Sequence, residues 1–344
     1  MITTYLLGAG ASANALPVVK QFSNSITETI EFLKVKFDND EIVSKESLVN
    51  SYGVEITLRS IHFELLDRLR LFLEDCSNGF TIDELAKSYF FKKDEEKYSI
   101  LKFNLSIFLS IRQILSKSDY RYFSFISQIS NSQNIIPEGI KIVSWNYDRQ
   151  FEIIESRFLP ENKELNSLNR LSHRSKISNN YVDVRVFNNL YKLNGSNGFI
   201  LDKKQIDFLD LCKRGLNSIS YIEFLKTYFE IKQKIEEKDP KIKNTLSFAW
   251  EESENYVRFY KDVWNEICKT EKLVVIGYSF PNFNSEIDLE FFTKMQLLKK
   301  IYIQTLDEIG VSRKIKYILS KLKMEVDLEI FSNCDNFLTP AELD

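Results

Sequence analysis

The chain has 344 residues, 44% of them hydrophobic, which suffices for one large domain or two ordinary ones with a substantial core. With 46 basic and 49 acidic side chains the formal charge is -3, so there is no global field for nucleic acid or an anionic membrane, and direct nucleic-acid binding is not expected. No apolar run approaches the roughly 18 residues of a membrane span, and no basic leader precedes the first apolar run, so a cytoplasmic protein is expected.

Ile2 to Leu7 predicts a first buried strand, followed by "LLGAGASANALP". Gly8, Gly10 and Ala13 match the G-x-G-x-x-G/A spacing of a strand-to-helix turn, where small residues let backbone amides approach a pyrophosphate. A tight turn without ligand would explain the same glycines. A dehydrogenase would continue into a second strand with a ribose-binding acid about 20 residues on. Here "NSITETIEFLKVKF" reads as helix, which disfavours that chemistry. "LRSIHFELLDRLRLFLEDC" and "YSILKFNLSIFLSIRQIL" then predict helices with one buried face. The apolar surface near residues 60 to 115 suits core packing or an oligomer interface equally.

Ile140 to Trp145 predicts the second strand, which runs into "IVSWNYDRQFE". Asn146 and Asp148 lie just past its carboxyl end, with Tyr147 between them; an amide and a carboxylate there can bond ribose hydroxyls or hold a water. Trp145 is expected as a core anchor beside them. Residues 162 to 180 have the Asn/Ser-rich composition of a mobile loop. A third strand, Val184 to Leu193, ends in "LYKLNGSNGF". Asn194-Gly195 between apolar runs is a strong hairpin signal, with an active-site rim as the competing reading. "YIEFLKTYFEIKQKIEEKD" predicts a helix, and three more strands follow at Leu273 to Ile276, Lys300 to Gln304 and Val326 to Phe331. The basic stripe from Arg313 to Lys323 reads as a solvated helix face, and the 27 Phe and 16 Tyr as packing rather than a stacking platform.

Apolar strands alternating with helices predict an α/β fold: a Rossmann-like, doubly wound, mostly parallel sheet with ligands outside the strands' carboxyl ends. The expected organisation is a single domain over 1–344, with a sheet core of 1–20, 136–201 and 270–335 and helical insertions at 21–135 and 202–269. Cys76, Cys212, Cys268 and Cys334 form no C-x-x-C pair, and His62 and His173 are the only histidines. Neither a zinc ribbon, a disulfide framework nor an imidazole-built metal centre is expected.

Together these stretches resemble the SIR2-like (sirtuin-like) superfamily, specifically the bacterial SIR2-like NAD hydrolases of antiviral defence. Gly8-Ala9-Gly10-Ala11-Ser12, followed by Pro17, resembles the family's NAD-binding loop. Asn146-Tyr147-Asp148 is similar to the segment that contacts the nicotinamide ribose and orients water. Gly277-Tyr278-Ser279-Phe280-Pro281 resembles the adenosine-binding segment, and Gln304 with Thr305 ends the strand that lines the adenine pocket. Gly195 and Ser196 complete a K-L-H-G-S pattern in which Asn194 replaces the histidine. The lack of zinc cysteines fits the hydrolase branch and makes a deacylase acting on acyl-lysine the weakest reading.

The resemblance implies NAD+ as substrate without a metal, cleavage to nicotinamide and ADP-ribose, and defence by NAD+ depletion. It also implies a homo-oligomer or a complex with a sensor or ATPase protein. Asparagine cannot take up a proton near neutral pH, so a general-base contribution of typically about 10² to 10⁴-fold has to come from elsewhere, with Asp148 the residual candidate. Asn194 can be natural with compensated activity, the mark of a noncatalytic subunit that binds NAD or ADP-ribose, or an engineered His→Asn change.

Overall fold

A computed structural model describes residues 1–18, 21–77, 79, 81–116, 118–132, 136–158, 173–175, 189–202, 204–206, 208–251 and 256–341. Two compact bodies emerge. One comprises Met1–Asn14, Ser118–Ser196 and Ser247–Asp344, the other Ala15–Lys117 and Asn197–Leu246.

Among the described residues the first body is built on seven parallel strands in the order Asp327–Phe331, Lys300–Gln304, Thr270–Ile276, Ile2–Leu7, Ile140–Ser144, Leu190–Lys192 and His173–Ser175. From Ile2–Leu7 the chain builds the sheet to one side, and from Thr270–Ile276 to the other. The order therefore reverses between these two neighbours, where an open α/β sheet offers a crevice. Alternate residues feed opposite faces, as strand geometry requires. Leu6, Val143, Tyr191, Val275 and Ile303 pack in one cluster with Val263, Phe292 and Ile315 of the helices Tyr256–Ile267, Ser285–Lys294 and Glu308–Leu322. Tyr5, Leu7, Ile142, Leu190 and Ile276 pack on the other face with Phe125 and Ile126 of Tyr120–Ile129, Phe151 and Ile154 of Gln150–Phe158, and Phe337. With both faces covered, the sheet is the Rossmann-like α/β architecture expected from the apolar strand pattern.

The second body is mainly helical. Leu58–Ser77 buries Leu58, Ile61, Leu65, Leu66, Leu69 and Phe72, the three- and four-residue spacing read from the sequence. Thr81 and Asn217 each start a helix with a reciprocal capping box, satisfying amides that the first turn leaves open. A small sheet in the order Lys204–Ile206, Gly195–Leu201, Ile242–Leu246 and a hairpin of Ser47–Val49 with Glu55–Thr57 complete it.

Two differences from the sequence expectations have physical causes. Asn194-Gly195 joins no hairpin: Leu190–Lys192 belongs to the parallel sheet, whereas Gly195–Leu201 pairs antiparallel with Lys204–Ile206. Gly195, at φ +67°, turns the chain from one sheet into the next. His173–Ser175, within the stretch read as loop, forms the edge strand through its pairing with Leu190–Lys192. The rest of that stretch, and residues 184–188 of the expected third strand, lie outside the described residues.

Candidate functional site

Strand register brings the candidate residues together. Leu7 pairs with both Ile276 and Ser144, and Ser144 with Lys192, so four consecutive strands end at one level. The residues beyond those ends, Gly8 to Ser12, Trp145 to Asp148, Leu193 to Ser196 and Gly277 to Pro281, share one rim of the sheet.

At the crevice the glycines answer to each other. A Cβ on Gly8 would stand 2.5 Å from the Tyr278 Cα, and one on Gly10 2.9 Å from the Gly277 Cα. One on Gly277, at φ +59°, would stand 2.3 Å from the Ala11 amide nitrogen. Gly10 donates its N–H to the Gly277 carbonyl at 2.9 Å. Close backbone packing at the reversal point thus requires small residues before any ligand is considered. The chain then enters a short 3-10 turn, Ala9–Ser12, and the first α-helix begins only at Phe22.

Ser12 is the hub of the rim. Its hydroxyl donates to Asp148 Oδ2 at 2.5 Å, meets the Tyr122 hydroxyl at 2.6 Å and accepts from Asn146 Nδ2 at 3.2 Å. All four side chains are buried. Asp148 Oδ1 accepts the Gln150 N–H at 3.0 Å, so this carboxyl also ties down the start of the Gln150–Phe158 helix. Burial pushes the Asp148 carboxyl above its ordinary range, against the pull of Lys192 and the Ser12 hydrogen bond. Burial likewise raises the Tyr122 phenol, which stays neutral.

Beneath the rim lies a buried ion cluster. Lys192 Nζ donates to the Asp148 carbonyl at 2.5 Å and to Glu152 at 2.7 and 3.0 Å. Arg149 Nη1 is 3.8 Å from Glu152, and its Nη2 donates to Ser196 Oγ at 3.2 Å. Leaving any of these charges unpaired would be costly, so the cluster fixes the backbone that carries Asp148.

Asn194 has a distinctive environment. Its Nδ2 donates to the Trp145 carbonyl at 3.1 Å, which settles the orientation of the amide, and its main-chain carbonyl accepts the Ser247 N–H at 2.9 Å. Its Oδ1 is buried and accepts no hydrogen bond among the described residues. Such an orphan acceptor costs about 1–3 kcal/mol, and a donor from water or ligand would remove the penalty. The half-buried Tyr147 meets Phe248 edge-on at 6.0 Å, and Phe248 stacks on Trp250 at 5.0 Å, adding an aromatic flank.

The remaining candidates are placed as follows. Tyr278 stacks on Trp145 and donates to Asp288, whose carboxyl burial pushes up to about 8. Ser279 is exposed, and its carbonyl accepts from Lys314 at 2.8 Å. Gln304 Nε2 donates to the carbonyls of Asn333 and Asn336 at 2.6 Å, and its Oε1 accepts the Leu338 N–H at 3.0 Å. Both ends of that amide thus serve the C-terminal segment. Thr305 Oγ1 accepts the Asp307 N–H, Ala9 is exposed, and Pro17 falls in the helical body. Sequence reasoning missed Tyr122, Lys192 and Arg149. An N-cap Asp119 ahead of apolar positions 122, 125, 126 and 129 marks the helix that carries Tyr122, but nothing local places that helix beside Ser12.

A groove lined by Leu298, Leu319, Met324, Val326 and Leu328 opens at the amino ends of Lys300–Gln304 and Asp327–Phe331, opposite the rim. Among the described residues no cluster of three or more His, Cys, Asp or Glu could hold a metal, and no helix is long and apolar enough to cross a membrane. The His173 side chain lies outside the description.

No family model and no curated protein matches the chain. Among solved structures it is similar to one reported as the structural basis for the mechanism and regulation of Sir2 enzymes, at 11% identity over 95% of this chain and 85% of that one, TM-score 0.39. It is also similar to Sir2Tm bound to a propionylated peptide, at 11% identity over 94% of each chain, TM-score 0.34. Likeness at this level carries no argument about activity, and the Rossmann-like fold rests on the strand order and the two covered faces.

Proposed function

We propose that the rim binds NAD+ and hydrolyses its nicotinamide–ribose bond, giving nicotinamide, ADP-ribose and a proton. The observation that carries the reading is the pair of buried amides on adjacent strand ends, Asn146 and Asn194, with the Asn194 Oδ1 lacking a donor. Nicotinamide departs as a neutral group, so no acid is needed to expel it, and the transition state resembles the oxocarbenium ion of glycoside cleavage. The site has to hold the ribose, offer oriented dipoles to the developing cation and place a water. Asn146 is assigned to the ribose, Asn194 Oδ1 to a water or ribose hydroxyl, and Asp148 to the field at the ribosyl cation and to accepting the released proton.

The SIR2-like sequence pattern supports the same assignment, and with it a cytoplasmic role in antiviral defence through NAD+ depletion, in a homo-oligomer or with a sensor or ATPase partner. A second reading, a module that binds NAD+ or ADP-ribose without cleaving it, is favoured by Asn194 itself, since an amide takes up no proton. Incubation with NAD+ and no acylated peptide, with nicotinamide and ADP-ribose quantified together, separates the two. Stoichiometric release that Asn146→Ala abolishes supports hydrolysis; ADP-ribose binding with no release supports the module.

A further inference from the structure

We propose that Tyr122 is a positioning residue of this site: its hydroxyl fixes the Ser12 hydroxyl and, through it, the orientation of the Asn146 amide. Its importance for turnover rests on the hydrolase reading above; the geometry does not. A serine hydroxyl has one hydrogen and two lone pairs. The hydrogen goes to Asp148 Oδ2 at 2.5 Å, because a carboxylate only accepts. The two lone pairs then receive the Tyr122 O–H at 2.6 Å and the Asn146 Nδ2–H at 3.2 Å, and the hydroxyl is fully used. A flipped Asn146 would set its Oδ1 against an oxygen with no hydrogen left to give. Nδ2 is therefore held toward Ser12, and Oδ1 faces the other way, where it can accept from a ribose hydroxyl. Without the Tyr122 hydroxyl, Ser12 gains a free lone pair and can rotate its hydrogen off Asp148, so either orientation of Asn146 can be accommodated.

Tyr122 is itself held from several directions. Asp119 caps its helix by accepting the Arg121 N–H at 3.0 Å, and it donates its own N–H to Gln150 Oε1 at 3.0 Å. Arg121, paired with Asp119 at 2.6 Å, reaches the Ala11 carbonyl at 2.8 Å. The first turn of Tyr120–Ile129 is thereby fastened to the loop carrying Ser12 and to the helix following Asp148. The Tyr122 ring sits edge-on to Phe151 at 4.8 Å and to Phe337 at 4.9 Å. Tyr122→Phe keeps those ring contacts and removes only the hydroxyl.

The test pairs a ligand-free readout with turnover. In 15N-labelled protein the Asn146 side-chain amide, identified by its loss in Asn146→Ser, is followed by hydrogen exchange. Tyr122→Phe is expected to speed that exchange about tenfold and, in whichever of the native and Asn194→His proteins turns over, to lower kcat about tenfold with KM within twofold. Unchanged exchange overturns the proposal whatever turnover does, as does faster exchange with unchanged kcat. Faster exchange in a protein that cleaves no NAD+ in either form supports the positioning and sinks the hydrolase reading, so the two failures are distinct. A purely structural tyrosine would lower the melting temperature without the split between kcat and KM.

Discussion

Gly277→Ala tests why the rim is rich in glycine. At φ +59° the new residue would pay left-handed strain of about 1–2 kcal/mol. Its Cβ would lie 2.3 Å from the Ala11 nitrogen and 2.4 Å from the Gly10 carbonyl carbon, both backbone atoms that cannot swing aside. Overpacking of that kind adds about 1–3 kcal/mol, for a total of about 2–5 kcal/mol. Gly53→Ala is the control: φ is +78°, but nothing lies within 4 Å of the added atom, so only the strain applies. Trp145, Trp250 and Trp264 all belong to the sheet body, so tryptophan fluorescence in urea reports the first variant, and far-ultraviolet circular dichroism the second. The loss should appear without any nucleotide. If Gly277→Ala costs no more than Gly53→Ala, or matters only when NAD+ is present, the loop-packing explanation of the glycine spacing is wrong.

Three other predictions concern buried polar groups. His62 is buried between Asp38 at 2.8 Å and Tyr221 at 2.6 Å, and burial, partly offset by Asp38, holds its pKa below the ordinary 6.5. The unfolded chain then binds the extra proton, so stability should fall as pH drops below 6.5, a slope that His62→Gln removes; an unchanged slope in that variant contradicts the assignment. Asp288 has the opposite sense: the folded carboxyl keeps its proton to about pH 8 while the unfolded one ionises near 3.8. Stability should decline as pH rises across that window, and urea titrations of Asp288→Asn should be flat by comparison. Lys192→Met strips Glu152 of its nearest cation and the Asp148 carbonyl of a donor, and should cost about 3–5 kcal/mol in urea unfolding; a loss under about 1 kcal/mol would show the cluster to be dispensable.

The sheet was legible where apolar runs are continuous. Ile2–Leu7 and Lys300–Gln304 form over the expected residues, because strands buried on both faces are mostly apolar, and the first strand's Thr4 satisfies its hydroxyl on Thr270 at 2.7 Å. His173–Ser175 was not, since three residues of Asn/Ser-rich chain become a strand only through the edge that Leu190–Lys192 offers. Proximity of Asn146, Asp148 and Asn194 followed from placing each past a strand end, and the register then sets their common level. The glycine spacing was visible, but its partner was not: Gly277 lies far along the chain, and only the neighbouring of Ile2–Leu7 with Thr270–Ile276 brings the loops together. Gln304 shows the converse. Its place at a strand end marks it for a ligand role, yet both ends of its amide are engaged by the C-terminal segment. Tyr122 illustrates a further limit, because a tyrosine at helical spacing looks like core until its hydroxyl is seen on Ser12.

The most direct test of the central claim is nicotinamide release from NAD+ by the native protein and by Asn194→His, measured side by side without peptide. Slow release by the native chain is expected, and a faster rate with the imidazole, by up to the roughly 10² to 10⁴-fold that a positioned general base supplies. No release from either, together with no binding of NAD+ or ADP-ribose, would show that this rim is not a nicotinamide dinucleotide site.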